Sequence, residues 1–184
     1  VDRTTDGAGA ISDMTLAEIK RLRLRLGVGG TNAPVTGHRM PTLEEVMLLV
    51  KDKCMVNLDK AWIIVPECCA VLKKTGTLRQ GIFKSSYSAA RCEVDFADLD
   101  PPVFFMPVIL NKKGWEKNKD QGWAQLEPYT RRLRPCAFEL VFVSDDDPIV
   151  SPETSARIKQ AGARVWINTL WDSLAAGQTD AKSL

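Results

Sequence analysis

Short apolar runs alternate with helix-like segments along most of the chain. Five runs have the β-branched and aromatic content of buried strands and start at residues 54, 81, 103, 137 and 164: CMVNLD, GIFK, VFFMPVIL, AFELVFV and RVWINTL. Helical patterns follow three of them, at residues 62–74, 88–97 and 152–162, whereas residues 111–135 form a polar segment that contains tryptophan. This alternation predicts parallel strands joined by helical crossovers.

Two helices are predicted earlier in the chain, each with a capping box at its start. In both, a threonine is followed three residues later by a glutamate: Thr15 with Glu18, and Thr42 with Glu45. The first helix is predicted to extend over the basic run IKRLRLRL, residues 19–26, as its solvated face. The glycine- and proline-rich residues 27–41 predict a surface loop.

The order of the elements predicts an α/β fold of the TIM (β/α)8 barrel class. Parallel strands with helical crossovers can close into such a barrel. The sequence contains neither G-x-G-x-x-G nor a P-loop, which disfavours a doubly wound nucleotide-binding fold. Because no repeat or linker divides the chain, residues 1–184 are expected to form a single domain.

Composition narrows the classes of function. The chain has 25 basic and 23 acidic residues, and nucleic-acid or membrane-surface binding is not expected from so even a balance. No apolar run approaches the ~18 residues of a transmembrane segment. The one histidine, His38, is expected to be solvated, and the acidic run at 145–147 is expected to be an exposed turn. Four of the five cysteines are predicted to be buried thiols: Cys54, Cys68, Cys69 and Cys136.

Polar side chains interrupt or end the predicted strands. Side chains two apart on a strand share a face, which groups Asn57 with Asp59 and Trp166 with Asn168. Lys84 ends the second run, and Glu139 has apolar neighbours on both sides. In a parallel barrel the carboxyl ends of the strands form the rim of the active site, so these groups are predicted to converge there around a charged ligand.

The side-chain types suit phosphate chemistry. An aspartate with an asparagine two residues before it offers the hard oxygen ligands of a divalent cation, Mg²⁺ or Ca²⁺. A lysine near such a cation can neutralise a phosphate oxygen as charge develops. A tryptophan can form an apolar wall.

Each of these residues also has a structural explanation, which the sequence leaves open. Asp59 could cap the following helix, and Lys84 could be a solvated loop residue. Glu139 could pair with Arg164, and Trp166 could pack in the core, as indole side chains usually do. By themselves, the residues indicate an α/β enzyme that handles phosphate.

Several stretches resemble one known family. The opening VDRTTDGAGAISDMTLAEIKRLRL and the later MPTLEEVMLLVKDKCMVNLDKAW are similar to segments of the glycerophosphodiester phosphodiesterases, and FELVF and ARVWINTLW are similar to late strands of that family. The resemblance implies a metal-dependent TIM-barrel hydrolase that cleaves small-molecule glycerophosphodiesters to glycerol 3-phosphate and an alcohol. It also implies two histidines as general acid and base, and a divalent cation held by three acids.

The resemblance assigns roles to residues of this chain. Asp59 matches the third metal-binding acid, where the family more often has glutamate. The family often has a lysine two residues further on, and this chain has Ala61 there. The phosphate-neutralising role is therefore assigned to Lys84, or to Lys60 if the strand has already turned. Three further residues are predicted to bind substrate: Glu139, Trp166 and Asn168, the last two as a loose match to Trp-Thr-Val-Asn.

The resemblance places three further family motifs, the N-terminal His-Arg, the Glu-x-Asp metal pair and His-Asp, before Val1, so this sequence does not include them. The chain is therefore expected to be an internal part of an incomplete barrel that lacks its first strands, with the absence of the last strand left open, and to be inactive by itself. Open barrel edges would favour a homo-oligomer. Two alternatives stay open: a non-catalytic binding or structural barrel remnant, and a phospholipase-type diesterase acting on lipid. The sequence does not decide between a cytoplasmic and a secreted or periplasmic location.

Overall fold

The computed structural model describes residues 1–27, 29–30, 32–97, 99, 102–110, 122–142 and 146–168. The chain divides into two compact units, residues Val1–Val50 and Lys51–Leu184. In the described part of the chain, no helix is both long and apolar enough to cross a membrane.

The first unit combines two helices with a two-stranded antiparallel sheet. Helix α1 spans Leu16–Ile19 and α2 spans Leu43–Val50, while strand β1 (Arg23–Arg25) pairs with β2 (Val35–Arg39). Both capping boxes are confirmed. The Thr15 backbone N–H donates to the Glu18 carboxylate at 2.7 Å, and the Thr42 N–H donates to that of Glu45 at 2.8 Å.

Two predictions for this unit are wrong. The first helix ends at Ile19, and the basic run continues into β1 instead of forming a helical face. Its arginines and leucines alternate with period two, which suits a strand, and the Arg25 guanidinium is held by the Ala33 carbonyl at 2.9 Å. The predicted loop contains β2, and His38 is an exposed residue of that strand.

The second unit is a parallel sheet with helices between its strands. Five strands are hydrogen-bonded in sequence order: β3 (Val56–Leu58), β4 (Gly81–Ser85), β5 (Phe104–Leu110), β6 (Ala137–Val141) and β7 (Arg164–Ile167). Four helices follow β3 to β6 in turn: α3 (Val65–Thr75), α4 (Ala89–Phe96), α5 (Gly122–Leu133) and α6 (Pro152–Gln160). Sequential parallel strands with helical crossovers are part of a TIM-barrel sheet, which confirms the predicted α/β fold class.

The two faces of this sheet differ in chemistry. One face packs against the helices in a buried core that includes Phe105, Ile109, Phe138 and Leu140 from the strands and Leu126, Tyr129 and Ile158 from the helices. Register places Lys84 opposite Met106, and Val108 opposite Glu139, so these four side chains lie on the other face. The polar strand residues therefore lie on the face that does not carry the helices.

Three local features of this unit were not predicted. Helix α5 lies in the polar segment to which no helix was assigned, and Pro128 inside it obscures the helical pattern. Of the acidic run, Asp145 lies outside the described residues, Asp146 is an exposed turn residue as predicted, and Asp147 is buried, with its carboxylate accepting from the Ile149 N–H at 3.1 Å at the start of a 3-10 turn. Cys54 is exposed, since β3 starts two residues later.

Candidate functional site

A buried lysine joins two carboxylates at the carboxyl ends of the strands. The Lys84 ammonium lies 2.8 Å from Oε2 of Glu139 and 2.9 Å from Oδ1 of Asp59. The side chains of Lys84 and Glu139 are only 11% and 6% exposed, whereas that of Asp59 is 62% exposed. One ammonium therefore makes a buried ion pair and a solvent-exposed one.

The strands bring Lys84 and Glu139 together across β5. Lys84 is on β4 and Glu139 on β6, and both point to the same face of the sheet, on either side of the β5 strand. Burial acts to lower the pKa of Lys84. Hydrogen bonds and charge from Glu139 and Asp59 outweigh this, so the pKa of Lys84 is raised above its ordinary value of 10.5. The lysine is therefore a fixed cation at neutral pH.

Glu139 is held from its other side by Asn168. The Asn168 amide donates from Nδ2 to Oε1 of Glu139 at 2.8 Å, so both carboxylate oxygens have a protein partner. Trp166 stands opposite Glu139 in the sheet register and is 45% exposed. Three of the residues predicted as site residues, Glu139, Trp166 and Asn168, are thus neighbours on β6 and at the end of β7.

Asp59 and Lys60 form the turn that leaves β3. The strand ends at Leu58, and Lys60 has a left-handed backbone conformation with φ of 56°. Such a conformation is uncommon for a residue other than glycine and turns the chain sharply. Lys60 is exposed and makes no ion pair with any residue that the structure describes. It supplies a second cation beside Lys84.

The structural explanations for four of these residues are wrong. Asp59 does not cap the following 3-10 turn, Ala61–Ile64, because no side chain accepts from the backbone there. Lys84 lies within β4, and the Glu139 carboxylate binds Lys84 instead of pairing with Arg164. Trp166 is too exposed to be a core residue.

Among the described residues, the candidate metal ligands are isolated oxygen atoms that do not form a cluster. No three His, Cys, Asp or Glu side chains of these residues are grouped closely enough to hold a metal ion. Asn57 Oδ1 is buried and has no hydrogen-bond donor among the residues that the structure describes. An unsatisfied buried acceptor two residues before Asp59 fits a cation or donor that approaches β3, but these oxygens alone do not complete a metal site.

A surface cavity of about 400 Å³ lies beside Asp59, Lys60 and Lys84. Asp59, Lys60 and Lys84 line its charged side. Its apolar side includes Trp62, Ile63, Tyr87 and Leu110, none of which was predicted as a site residue. Their signal in the sequence is only their position directly after, or at the end of, strands β3, β4 and β5, where the rim of a barrel site is built.

Two family models match different parts of the chain. The glycerophosphoryl diester phosphodiesterase family model matches residues 1–94, and a model described as a domain of unknown function matches residues 105–184. A glycerophosphodiester phosphodiesterase from Caldanaerobacter subterraneus subsp. tengcongensis is 47% identical over 60 residues, which are 32% of this chain and 24% of that protein.

A solved structure shows the same fold. The crystal structure assigned to a glycerophosphodiester phosphodiesterase from Galdieria sulphuraria superposes with a TM-score of 0.58 at 18% identity. The match covers 91% of this chain and 62% of that one. The chain therefore spans less than two thirds of the length of these relatives.

Proposed function

Because the chain belongs to the glycerophosphoryl diester phosphodiesterase family, we propose that its strand-end site binds a glycerophosphodiester for hydrolysis to glycerol 3-phosphate and an alcohol. The observation that carries the proposal is the pair of lysines in one cavity with Asp59. Lys84 is a buried, permanently charged ammonium and Lys60 an exposed one. A phosphodiester is a monoanion, and cations at its non-bridging oxygens favour both binding and the charge that builds up in the transition state.

Lys84 is the phosphate-neutralising group in this proposal. An ammonium has three donors, and the two acids engage Lys84 through separate hydrogen bonds. The third donor is available to a phosphate oxygen. Lys60 adds charge from the rim, where its side chain can move with the ligand.

Glu139, Asn168 and Trp166 are proposed to support the substrate. Since both oxygens of Glu139 already bind protein groups, Glu139 acts by positioning the Lys84 ammonium and by keeping it charged. Asn168 fixes the Glu139 carboxylate in turn. Trp166, half exposed on the same face, offers an apolar wall to the glycerol or alcohol part of the ligand.

A divalent cation, Mg²⁺ or Ca²⁺, is proposed to accompany the substrate, with Asp59 as one of its ligands. The exposed Asp59 carboxylate and the unsatisfied Asn57 oxygen are the hard oxygen donors that support this role. When bound, such a cation polarises the phosphoryl group. The remaining ligands are not provided by a cluster among the described residues.

The chain has fewer histidines than the acid and base catalysis implied by the family resemblance requires. The sequence has one histidine, His38, an exposed residue of β2, and two histidines are needed for the acid and base implied by the family resemblance. We therefore expect the pure 184-residue chain to bind a glycerophosphodiester without turning it over.

Calorimetric titration with sn-glycero-3-phosphocholine tests the proposal. Lys84→Met and Lys60→Gly should each weaken binding, and Lys60→Gly also relieves the left-handed backbone, so its fold is retained. Lys159→Met, which removes an exposed lysine of α6, is the matched control. Equal effects of all three variants would contradict the assignment of the site. Metal-dependent release of glycerol 3-phosphate by the pure chain would contradict the expected inactivity.

A further inference from the structure

Basic side chains are concentrated at the amino ends of the parallel strands. Six exposed lysines and arginines lie in or next to the turns that lead into the strands of the second unit, here called the basic face: Lys53, Lys73, Lys74, Arg79, Arg134 and Arg164. In the described parts of these turns Asp52 is the only acid, and Asp98 and Asp100 lie outside the described residues. The even charge of the whole chain therefore conceals a local excess of positive charge.

Side-chain contacts join the first turns of the basic face into one surface. The Gln80 side chain accepts from the Asp52 N–H at 2.9 Å and donates to the Cys54 carbonyl at 2.6 Å. The Arg79 guanidinium lies over the Phe104 ring, 4.5 Å from its centroid. The turn before β4 is therefore in contact with the turn before β3 and with the start of β5.

The basic face continues to β7 through Cys136. The Cys136 N–H donates to the Phe105 carbonyl at 2.9 Å, and the Cys136 carbonyl accepts from the Arg164 N–H at 3.0 Å. Arg134 comes just before this residue in the chain. Because the strands are parallel, these contacts lie at a single edge of the sheet, opposite to the edge that carries the Lys84 ammonium.

Charge at helix ends explains only part of the basic face. Lys73 and Lys74 lie in the last turn of α3, where the unpaired carbonyls of a helix favour positive charge. Arg79 lies in a 3-10 turn, and Arg164 is the first residue of β7. Arg134 follows α5, but its backbone is left-handed with φ of 46°, a conformation that glycine adopts at lower cost. Helix ends therefore account neither for Arg79 and Arg164 nor for the choice of an arginine at position 134.

Apolar surface lies among these cations. Met55, at the entrance to β3, is 47% exposed, and the neighbouring Cys54 is exposed as well. The described parts of the turns contain no aromatic side chain on which a nucleic-acid base could stack. Cations with long aliphatic stems around a small apolar group are typical of contact with lipid head groups.

We propose that the basic face binds the surface of a membrane that contains anionic phospholipids. Its ammonium and guanidinium groups contact the lipid phosphates, and Met55 enters the head-group layer. Lys84 and its cavity then point away from the membrane, so that the strand-end site stays open to small molecules in water. The inference does not depend on the proposed function, because it involves none of the residues of that site.

Sedimentation with sucrose-loaded vesicles tests the proposal on the 184-residue chain. Vesicles of phosphatidylcholine with about 30 mol% phosphatidylglycerol carry the required negative surface, and vesicles of phosphatidylcholine alone do not. The chain should sediment with the first and remain in solution with the second. Raising the salt concentration to about 0.5 M should release it, because salt screens charges that are exposed to solvent.

A double variant removes two cations from the basic face. In Arg134→Gly with Arg164→Gln, each substitution should lower the vesicle partition coefficient about fivefold, which gives about twentyfold together. If this variant changes the circular dichroism spectrum, Lys53→Gln with Lys74→Gln takes its place, with the same expected loss.

Arg91→Gln with Arg157→Gln is the matched control, because it changes the net charge by the same amount. The two arginines make i,i+4 ion pairs on α4 and α6, and such surface pairs contribute little to stability. The Arg91 guanidinium lies 5.9 Å from the centroid of the Tyr87 ring, just after β4, and that of Arg157 lies 5.9 Å from that of Trp123, in the first turn of α5. Both are therefore outside the basic face, and the control should bind anionic vesicles as the wild type does.

A fluorophore reports which surface meets the membrane. Cys54 places an exposed thiol on the basic face, and a polarity-sensitive dye attached to it should shift its emission to the blue on anionic vesicles. The same dye on Ile63→Cys in a Cys54→Ser chain should not shift, because Ile63 is 82% exposed near the opposite edge of the sheet.

Several results would overturn the proposal. They are the absence of binding to anionic vesicles, equal binding to both kinds of vesicle, equal losses in the two double variants, and a blue shift at position 63 in place of position 54. Binding of a single-stranded thymidine oligonucleotide without binding of vesicles would overturn the membrane surface in favour of a nucleic-acid surface.

Discussion

Replacing each of the two acids on Lys84 by its amide should have unequal consequences. Glu139→Gln and Asp59→Asn both keep the side-chain shape and remove one negative charge within 3 Å of the same ammonium, at 2.8 and 2.9 Å. The two carboxylates differ mainly in exposure, since the Glu139 side chain is 6% exposed and the Asp59 side chain is 62% exposed. Comparing them isolates the effect of burial on an ion pair.

The expected magnitudes follow from that exposure. A hydrogen bond to a charged group contributes about 1.5–3 kcal/mol when it is buried, so Glu139→Gln should lower the free energy of unfolding by about 2–3 kcal/mol. A solvent-exposed ion pair contributes about 0–1 kcal/mol, so Asp59→Asn should lower it by less than about 1 kcal/mol.

Urea denaturation followed by tryptophan fluorescence measures this difference. All five tryptophans lie in the second compact unit, so the signal reports on the unit that contains the site. Similar losses for Glu139→Gln and Asp59→Asn would refute the reasoning, because they would show that burial of the Lys84–Glu139 pair has no energetic effect.

Three further predictions concern other groups in the second unit. Because the pKa of Lys84 is raised in the folded state, the stability that it contributes should be fully present below pH 10.5 and lost only as the pH rises through the folded-state pKa. The difference in unfolding free energy between wild type and Lys84→Met should therefore stay constant between about pH 7 and 9. Tyr129→Phe should cost about 1–2 kcal/mol in the same denaturation assay, because it removes the donor to the Tyr87 carbonyl, and no loss would argue against that hydrogen bond. In native protein, iodoacetamide should label the exposed Cys54 well before Cys92, because burial raises the pKa of the Cys92 thiol. Mass spectrometry of the labelled peptides gives the order, and earlier labelling of Cys92 would contradict its burial.

The sequence predicted the parallel sheet well because its signals are local. Apolar runs such as GIFK and capping residues such as Ser151 depend on neighbours a few positions away. The first unit was predicted poorly, since the alternation of arginine and leucine after Ile19 becomes a strand only through pairing with β2. A short stretch of sequence does not show which strand will pair with it, because the tertiary structure decides the pairing.

The site was predicted only in part, because sequence signals are local and contacts between strands are not. The face-alternation rule singled out Lys84, Glu139 and Asn168 as polar groups on strands, but it could not show that they contact one another across β5 and β6. The apolar wall formed by Ile63 and Tyr87 was missed, because an apolar residue in a loop carries no sequence signal until its exposure is known.

The central claim is that the Lys84 ammonium contacts the phosphodiester. Nuclear magnetic resonance of ¹⁵N-labelled lysine side chains, recorded with and without sn-glycero-3-phosphocholine, tests it most directly. The account predicts a Lys84 ammonium signal that is protected from exchange by burial, that shifts when the ligand is added, and that is lost in Glu139→Gln. Saturable binding that leaves the Lys84 signal unmoved would contradict the account.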